Sequence, residues 1–308
     1  MHARPDPSRC AACGSADVSA MPVPRIIDAE LEVDAELMAC RRCTLQWISP
    51  PPTDAALRRY HSRPVARTRT QQSQPGDPLF EQVMRAHRMT ARWITEIVPP
   101  GRRKVLDVGC GRGMFLGALA ELGWDCLGVD PNGAFLEDVR RLWGVETVQG
   151  MFEDVTDAIP NDEFALVITG HVLHMIPDPV GTIRALATKA QRGGIVHCEV
   201  PNELDSYSVM LSDGTARIRR RARALPYRGN KLFYYNARSL RAMVECAGLA
   251  YRDERTYSAR GLGTFVASRL ASRIGAASRV VETVLAPAGR LADRSGHGEA
   301  LIVLGEKH

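Results

Sequence analysis

Short apolar runs, punctuated by glycine and separated by stretches of helical period, dominate residues 104–257 and return at the C-terminus. KVLDV, CLGVD, VETVQ, FALVIT and IVHCEV have the length and near-continuous apolarity of strands buried on both faces. Between most of them, residues 113–122, 132–142 and 180–191 predict helices. Alternation of this kind predicts a doubly wound α/β sheet. A helix over 237–247, a strand near 249–257 and a final strand in EALIVLGE, 299–306, continue the rhythm. Two insertions interrupt it. Residues 205–236 are arginine-rich, and 261–296 carry Val266, Leu270, Ile274, Ala277, Val281 and Val284 at helical steps opposite Ser272, Arg279 and Glu282. Most such amphipathic helices pack on their own domain; attachment to a membrane surface is the minority reading.

Upstream the pattern is different. Residues 1–50 are weakly patterned and end at Pro50-Pro51-Pro52. Helices are predicted over 54–61 and 79–98, the second from Phe80, Val83, Met84, His87, Trp93, Ile94 and Ile97. Arg63 to Pro78 reads as a polar loop, and Pro99-Pro100-Gly101 closes the helical section. The expected organisation is a small module at 1–50, a helical connector and cap at 51–100, and an α/β domain at 101–308.

Composition narrows this only slightly. The 308 residues are 45% hydrophobic and 24% charged, enough for a large α/β core plus an appendage. Collagen-like, coiled-coil and wholly disordered chains are excluded. The net charge of +5 is almost entirely arginine, since Lys104, Lys189, Lys231 and Lys307 are the only lysines. No run approaches the roughly 18 apolar residues of a spanning helix. MHARPDPSRC has no apolar core of the secretory kind, so the expectation is a cytoplasmic protein with reduced thiols.

Four of the eight cysteines form two C-x-x-C knuckles, Cys10/Cys13 and Cys40/Cys43. Each knuckle sets two thiolates about one ligand radius apart, and two knuckles complete a tetrahedral zinc site. A segment so poor in large apolar side chains needs such a staple. A closed four-thiolate set leaves no open position, so the expected zinc is structural. Cys110, Cys126, Cys198 and Cys246 lie in apolar runs and are expected in the core.

The sharpest constellation is VLDVGCGRGMFL, where a strand ending in Asp107-Val108 runs through Gly109, Gly111 and Gly113 into a helix. Glycines there let the backbone pass close to a ligand. Asp107 at the turn repels phosphate but suits a cationic amino-acid group. The next strand ends in Gly128-Val129-Asp130-Pro131, whose carboxylate can take both hydroxyls of a ribose.

With these motifs the chain resembles the class I S-adenosylmethionine-dependent methyltransferases, and within them the bacterial group with an N-terminal zinc ribbon. VLDVGCGRGMFL and GVDPN match the first two motifs, GMFEDV the adenine segment, GHVLHMIPDP the run after the fourth strand, and CEVPN the fifth strand. The resemblance implies a Rossmann-like, doubly wound seven-stranded sheet whose last strand is antiparallel. It also implies S-adenosylmethionine as cofactor. Gly109, Cys110, Gly111 and Gly113 would line its methionine moiety, with Asp107 facing the amino group. Asp130, with Pro131, would hold the ribose, Phe152 and Glu153 the adenine edge, and His171 would lie beside the cofactor.

The chain departs from the family in places. It has His174-Met175 where Glu-His is frequent, Thr44 where glycine usually follows the second knuckle, and Lys231-Leu-Phe-Tyr234-Tyr235 where relatives tend to show histidine. Candidates for a catalytic base are therefore His171, His174, Lys231, Tyr234 and Tyr207, and for either histidine alone a packing role is the default. Arg58, Arg59, Arg63, Arg67 and Arg69 form one arginine cluster; Arg217, Arg219, Arg220, Arg221, Arg223 and Arg228 form another. Such clusters read first as solvated faces, then as a clamp for an anionic acceptor, and only third as an RNA grip, because Tyr227 is the one aromatic within the second. The expected enzyme methylates a small, anionic or glycosylated acceptor, most readily at oxygen. RNA methylation and sugar C-methylation are the alternatives. Oligomeric state is open.

Overall fold

Alternation along Val33–Cys40 builds the N-terminal module: Val33, Ala35 and Leu37 turn inward while Asp34 and Glu36 face water. In the computed structural model, which describes residues 8–23, 25–29, 31–62, 72–101, 103–211, 231–258 and 278–308, this strand is β3. It pairs antiparallel with β1 (Val18–Ala20), β2 (Ile26–Asp28) and β4 (Gln46–Ser49). Helices α1 (Asp54–Ser62) and α2 (Pro78–Ile97) follow. Phe80, Val83, Met84, Ala91 and Ile94 of α2 supply its buried stripe.

The α/β part then runs β5 (Lys104–Val108), α3 (Met114–Ala120), β6 (Asp125–Asp130), α4 (Gly133–Trp143), β7 (Glu146–Gln149) and the short α5 (Phe152–Val155). It continues with β8 (Phe164–Gly170), α6 (Pro179–Lys189), β9 (Ala190–Pro201), β10 (Phe233–Tyr234), α7 (Ala237–Cys246), β11 (Ala250–Tyr257), α8 (Ser278–Arg294) and β12 (Ala300–Glu306). Seven of these strands form one sheet in the order β11-β12-β9-β8-β5-β6-β7. The pairs among β5 to β9 are parallel, and β12 is antiparallel to both its neighbours. This is the Rossmann-like sheet the alternation predicts, with the last strand reversed. Strand β9 begins earlier than its apolar run, because a register shift opposite Phe164 to Leu166 absorbs the polar residues before Ile195.

The sheet separates two apolar cores. One, containing Leu106, Val108, Val196, Cys198 and Val200, is shared with the N-terminal module, α6 and α7. The other, containing Val105, Ile168 and Ile195, packs under α2, α3 and α4. Successive residues of a strand face opposite sides, so His197 and Glu199 turn away from Cys198 and towards the second core. Cys246 departs from expectation. It is exposed, because it is the terminal residue of α7, beyond the buried stripe of Leu240, Met243 and Val244.

Strand β10 does not join the large sheet. It pairs antiparallel with β4, Phe233 opposite Trp47 and Tyr234 opposite Gln46, so residues after the arginine-rich insertion complete the N-terminal sheet. Asn236 reinforces the seam. Its side chain caps α7 through the amide of Ser239 at 3.1 Å and donates to Thr44 Oγ1 at 2.9 Å. Thr44 sits in the left-handed region at φ 66°, which explains why glycine suits this position, and its bond to Asn236 offsets that strain.

Asn236→Ala removes the cap and the bond to Thr44 together. It is expected to cost about 1–2 kcal/mol of stability by urea denaturation, with Thr44→Gly less damaging in the Asn236→Ala background than in the wild type.

Candidate functional site

The turn between β5 and α3 takes its shape from three glycines at positive φ: Gly109 (81°), Gly111 (53°) and Gly113 (68°). At Gly109 a Cβ would lie 2.3 Å from Val172 Cγ2, so a side chain there would collide with the segment that follows β8. At Gly111 nothing lies within 4 Å of that position, and the turn is open to a ligand. Gly109 and Cys110 both donate their amides to the Val129 carbonyl, at 2.8 and 3.1 Å, which clamps the turn over β6. Arg112 anchors its far side. The guanidinium is buried, with Nε donating to Asp138 Oδ2 at 2.8 Å and Nη1 to the Ser73 carbonyl at 2.7 Å. Trp143 Nε1 closes on the Arg112 carbonyl at 2.9 Å.

Acidic side chains converge beside this turn. Asp130, the last residue of β6, accepts from the Gly111 amide at 2.9 Å and the Asn132 amide at 2.8 Å. Burial raises its pKa although both amides oppose the shift. Asp107 in β5 is 5% exposed, and its carboxyl is pushed up to about 8, first by burial and then by the charges of Glu199 and Asp130. Glu199 near the end of β9 completes the group. Three carboxyl groups beside one open turn suit a ligand carrying positive charge.

Around Glu199 lies a set of ring groups. His171 Nε2 is 3.1 Å from Glu199 Oε1, and the Tyr257 hydroxyl donates to the same oxygen at 2.7 Å. His197 Nε2 lies 3.7 Å from Oε2. Burial pushes Glu199 up, but the hydrogen bond from His171 and the imidazoles of His171, His197 and His87 outweigh it and hold the carboxylate well below its usual range. His197 is itself pushed down to about 4, chiefly by burial, so it is uncharged near neutral pH. His87 from α2 and His197 flank the Phe115 ring at 5.4 and 5.6 Å. Sequence reasoning missed this cluster. A signal existed: the apolar run IVHCEV places two ionisable residues two apart, hence on one face of a buried strand.

Phe152 is buried at the start of α5, while Glu153 and Pro131 are exposed. Cys110 lies in the glycine turn, its thiol held protonated by burial and by the charges of Asp107 and Asp130. The His171 side chain is 51% exposed. His174, Tyr207 and Tyr234 are buried. Tyr234 belongs to the N-terminal sheet. Lys231 is buried in an ion pair with Glu203, and burial brings its pKa down to about 8. Arg58 pairs with Asp154 and Arg59 with Glu32. Arg63, Arg67, Arg69, the cluster Arg217–Arg228 and the amphipathic positions Val266 to Ala277 lie outside the described residues. Among the described residues no helix is long and apolar enough to cross a membrane.

The four knuckle thiols meet at one point. Cys10 and Cys43 Sγ are 3.4 Å apart, Cys13 and Cys40 Sγ 3.6 Å, and all four ligand atoms lie within 4.8 Å of one another. Three of the four residues are buried. The donor set is that of a closed, tetrahedral, thiophilic metal site.

Comparison with known proteins agrees with this geometry. A family model described as "Methyltransferase domain" matches residues 81–254. A curated ubiquinone biosynthesis O-methyltransferase of Stutzerimonas stutzeri is 30% identical over 122 residues, covering 38% of this chain and 52% of that protein. That of Pseudomonas entomophila is 30% identical over 172 residues, covering 54% of this chain and 72% of that protein. In the first two such relatives the match spans about half of their length. Among solved structures, the putative methyltransferase in complex with the Trm112 methyltransferase activator of Haloferax volcanii covers 76% of this chain and 96% of its own, with a TM-score of 0.51 at 18% identity. That likeness concerns the fold alone.

Gly109→Ala is expected to cost about 1–3 kcal/mol in thermal unfolding. Val172→Ala should recover part of that loss, because it removes the methyl group the new Cβ would strike.

Proposed function

The chain belongs to the S-adenosylmethionine-dependent methyltransferase family, and from that premise we propose that it transfers the methyl group of S-adenosylmethionine to a hydroxyl oxygen of a small-molecule acceptor. The observation that carries the reading is the convergence of Asp107, Asp130 and Glu199 beside an open glycine turn. S-adenosylmethionine brings a sulfonium and an ammonium, the two charges such a site lacks. The Gly109, Gly111 and Gly113 backbone would line its methionine part, with Asp107 facing the ammonium. The Asp130 carboxylate, already oriented by two amides, has lone pairs left for the ribose hydroxyls. Phe152 and Glu153 would meet the adenine.

When bound, the cofactor supplies an electrophilic methyl group open to in-line displacement. The protein's own contribution is alignment and exclusion of water, the terms that matter most for such a transfer. A hydroxyl acceptor must also lose a proton. Of the base candidates, His171 is the one described side chain that is half exposed beside the carboxylates, whereas Lys231 already has Glu203 as a partner. The relatives named as O-methyltransferases support oxygen as the accepting atom. The arginine-rich composition of 217–228 would suit a clamp on an anionic acceptor.

Zinc in the four-thiolate cluster would act as a staple, with no open coordination position for chemistry. It would hold β3 and β4, and through β4 the strand β10.

Two tests address this reading. In the free protein Asp107 is protonated below about pH 8, and a cationic ligand favours its ionised form. Binding must therefore expel a proton, so calorimetric affinity for S-adenosylmethionine should rise from acid pH towards pH 8, by about tenfold per pH unit at most. Asp107→Asn should flatten that dependence, and formation of a methoxyphenol product from catechol or 3,4-dihydroxybenzoate would establish oxygen transfer. For the ribbon, protein purified without chelator should hold about one zinc per chain. Cys40→Ser should lose that zinc and lower the thermal transition; full zinc occupancy in Cys40→Ser would refute the assignment.

A further inference from the structure

His171 is held at two points by one residue. Its backbone amide donates to the Glu199 carbonyl at 2.8 Å, and its ring Nε2 lies 3.1 Å from Glu199 Oε1. The backbone of His171 also stands in the left-handed region at φ 56°, a strained conformation for a residue with a side chain. Strain at a single residue persists only where its surroundings hold it, and here both restraints come from Glu199. Resting on the reading of hydroxyl methylation above, we propose that Glu199 is the positioning residue for His171, fixing its tautomer and orientation so that Nδ1 serves as the base towards the acceptor hydroxyl.

The chemistry follows from what each atom can do. An ionised carboxylate only accepts, so the imidazole nitrogen facing it must carry the proton. That leaves Nδ1 as the lone-pair nitrogen, on a side chain that is half exposed. A carboxylate behind an imidazole also stabilises the imidazolium formed when a proton arrives. In the reaction the acceptor O–H proton passes to His171 Nδ1 while the acceptor oxygen bonds to the methyl carbon. The carbon–sulfur bond breaks with its electron pair retained by sulfur, leaving a neutral thioether, and the imidazolium then returns its proton to water.

The groups around Glu199 are arranged for this task. Tyr257 from β11 donates to the same oxygen that faces His171, at 2.7 Å, and His197 in β9 faces the other oxygen at 3.7 Å. His87 from α2 and Asp107 from β5 complete the charged and titratable surroundings. Tyr257 therefore helps to fix the carboxylate in place, and the buried strand β9 supplies the rigid base that a half-exposed turn residue lacks. Glu199 itself is 4% exposed and reaches the acceptor only through His171.

The test compares two acceptors that differ in their need for a base. Catechol must be deprotonated at neutral pH, whereas 4-nitrocatechol is largely ionised there. Glu199→Gln keeps the size of the side chain and removes its charge. With both rates taken at saturating S-adenosylmethionine, so that a loss of cofactor affinity from the missing charge does not enter, it should lower turnover of catechol by about 100-fold or more and that of 4-nitrocatechol at least about tenfold less. His171→Asn, which tolerates the left-handed backbone, should show the same selectivity. The double variant should lose little beyond His171→Asn alone, since both act through one imidazole. Equal losses on both acceptors in Glu199→Gln would overturn the proposal. If Glu199→Gln fails to fold, equal losses in His171→Asn would overturn it as well. A wild-type protein that binds the cofactor yet methylates neither phenol would remove the hydroxyl-acceptor reading and the dyad with it, a result distinct from equal losses in an active enzyme.

Discussion

Negative charge kept out of water at the C-terminal edge of a parallel sheet is the constraint on which the functional half of this protein depends. Asp107, Asp130 and Glu199 are each less than a tenth exposed. Burying carboxylates costs several kcal/mol apiece unless partners compensate. The structure handles the three differently. Asp130 is given two backbone amides, Glu199 a histidine and a tyrosine, and Asp107 is left to carry a proton until a cation arrives. Such an arrangement is poorly explained by stability. It is well explained by a ligand that brings its own positive charges.

The rest of the fold serves to hold those groups in register. The glycine turn is pinned on one side to Val129 and on the other through Arg112 to Asp138 and Ser73, so its backbone is defined before any ligand binds. Val172 packs closely on Gly109, so the segment after β8 lies directly against the turn. The N-terminal sheet contributes from the other side. Strand β10 and the capping Asn236 bind it to α7, and the amide of Leu232 donates to the His174 carbonyl at 2.7 Å. The thiol cluster thus lies in a module whose last strand is bonded, at Leu232 and Phe233, to the His174 carbonyl in the segment that follows His171.

Much of this was legible in the chain itself. Buried parallel strands appear as short apolar runs because both their faces are covered. The glycine turn is visible because positive φ admits few other residues, and the metal knuckles because thiolate geometry demands a fixed spacing. The Glu199 cluster escaped notice for the opposite reason. His87, His171, Glu199 and Tyr257 come from four separate elements, and His197 joins them only through the two-residue period of β9. Nothing local marks a residue whose partners lie scattered along the chain. Strand β10 was equally hidden: two aromatic residues after an arginine-rich stretch have no period to read.

By itself, then, the sequence determined the fold class, the main strands and helices from residue 104 onward apart from β10, the glycine turn with Asp107 and Asp130, and the four clustered thiols. Each follows from local backbone requirements or from fixed ligand spacing. Only the tertiary structure decided that Lys231 is spent on Glu203, that Cys246 lies outside the core, and that β10 completes the N-terminal sheet. It also decided that His171 rather than His174 is the exposed histidine, backed by Glu199. These are matters of charge pairing, burial and contact between distant elements, and such contacts exist only once the chain has closed on itself.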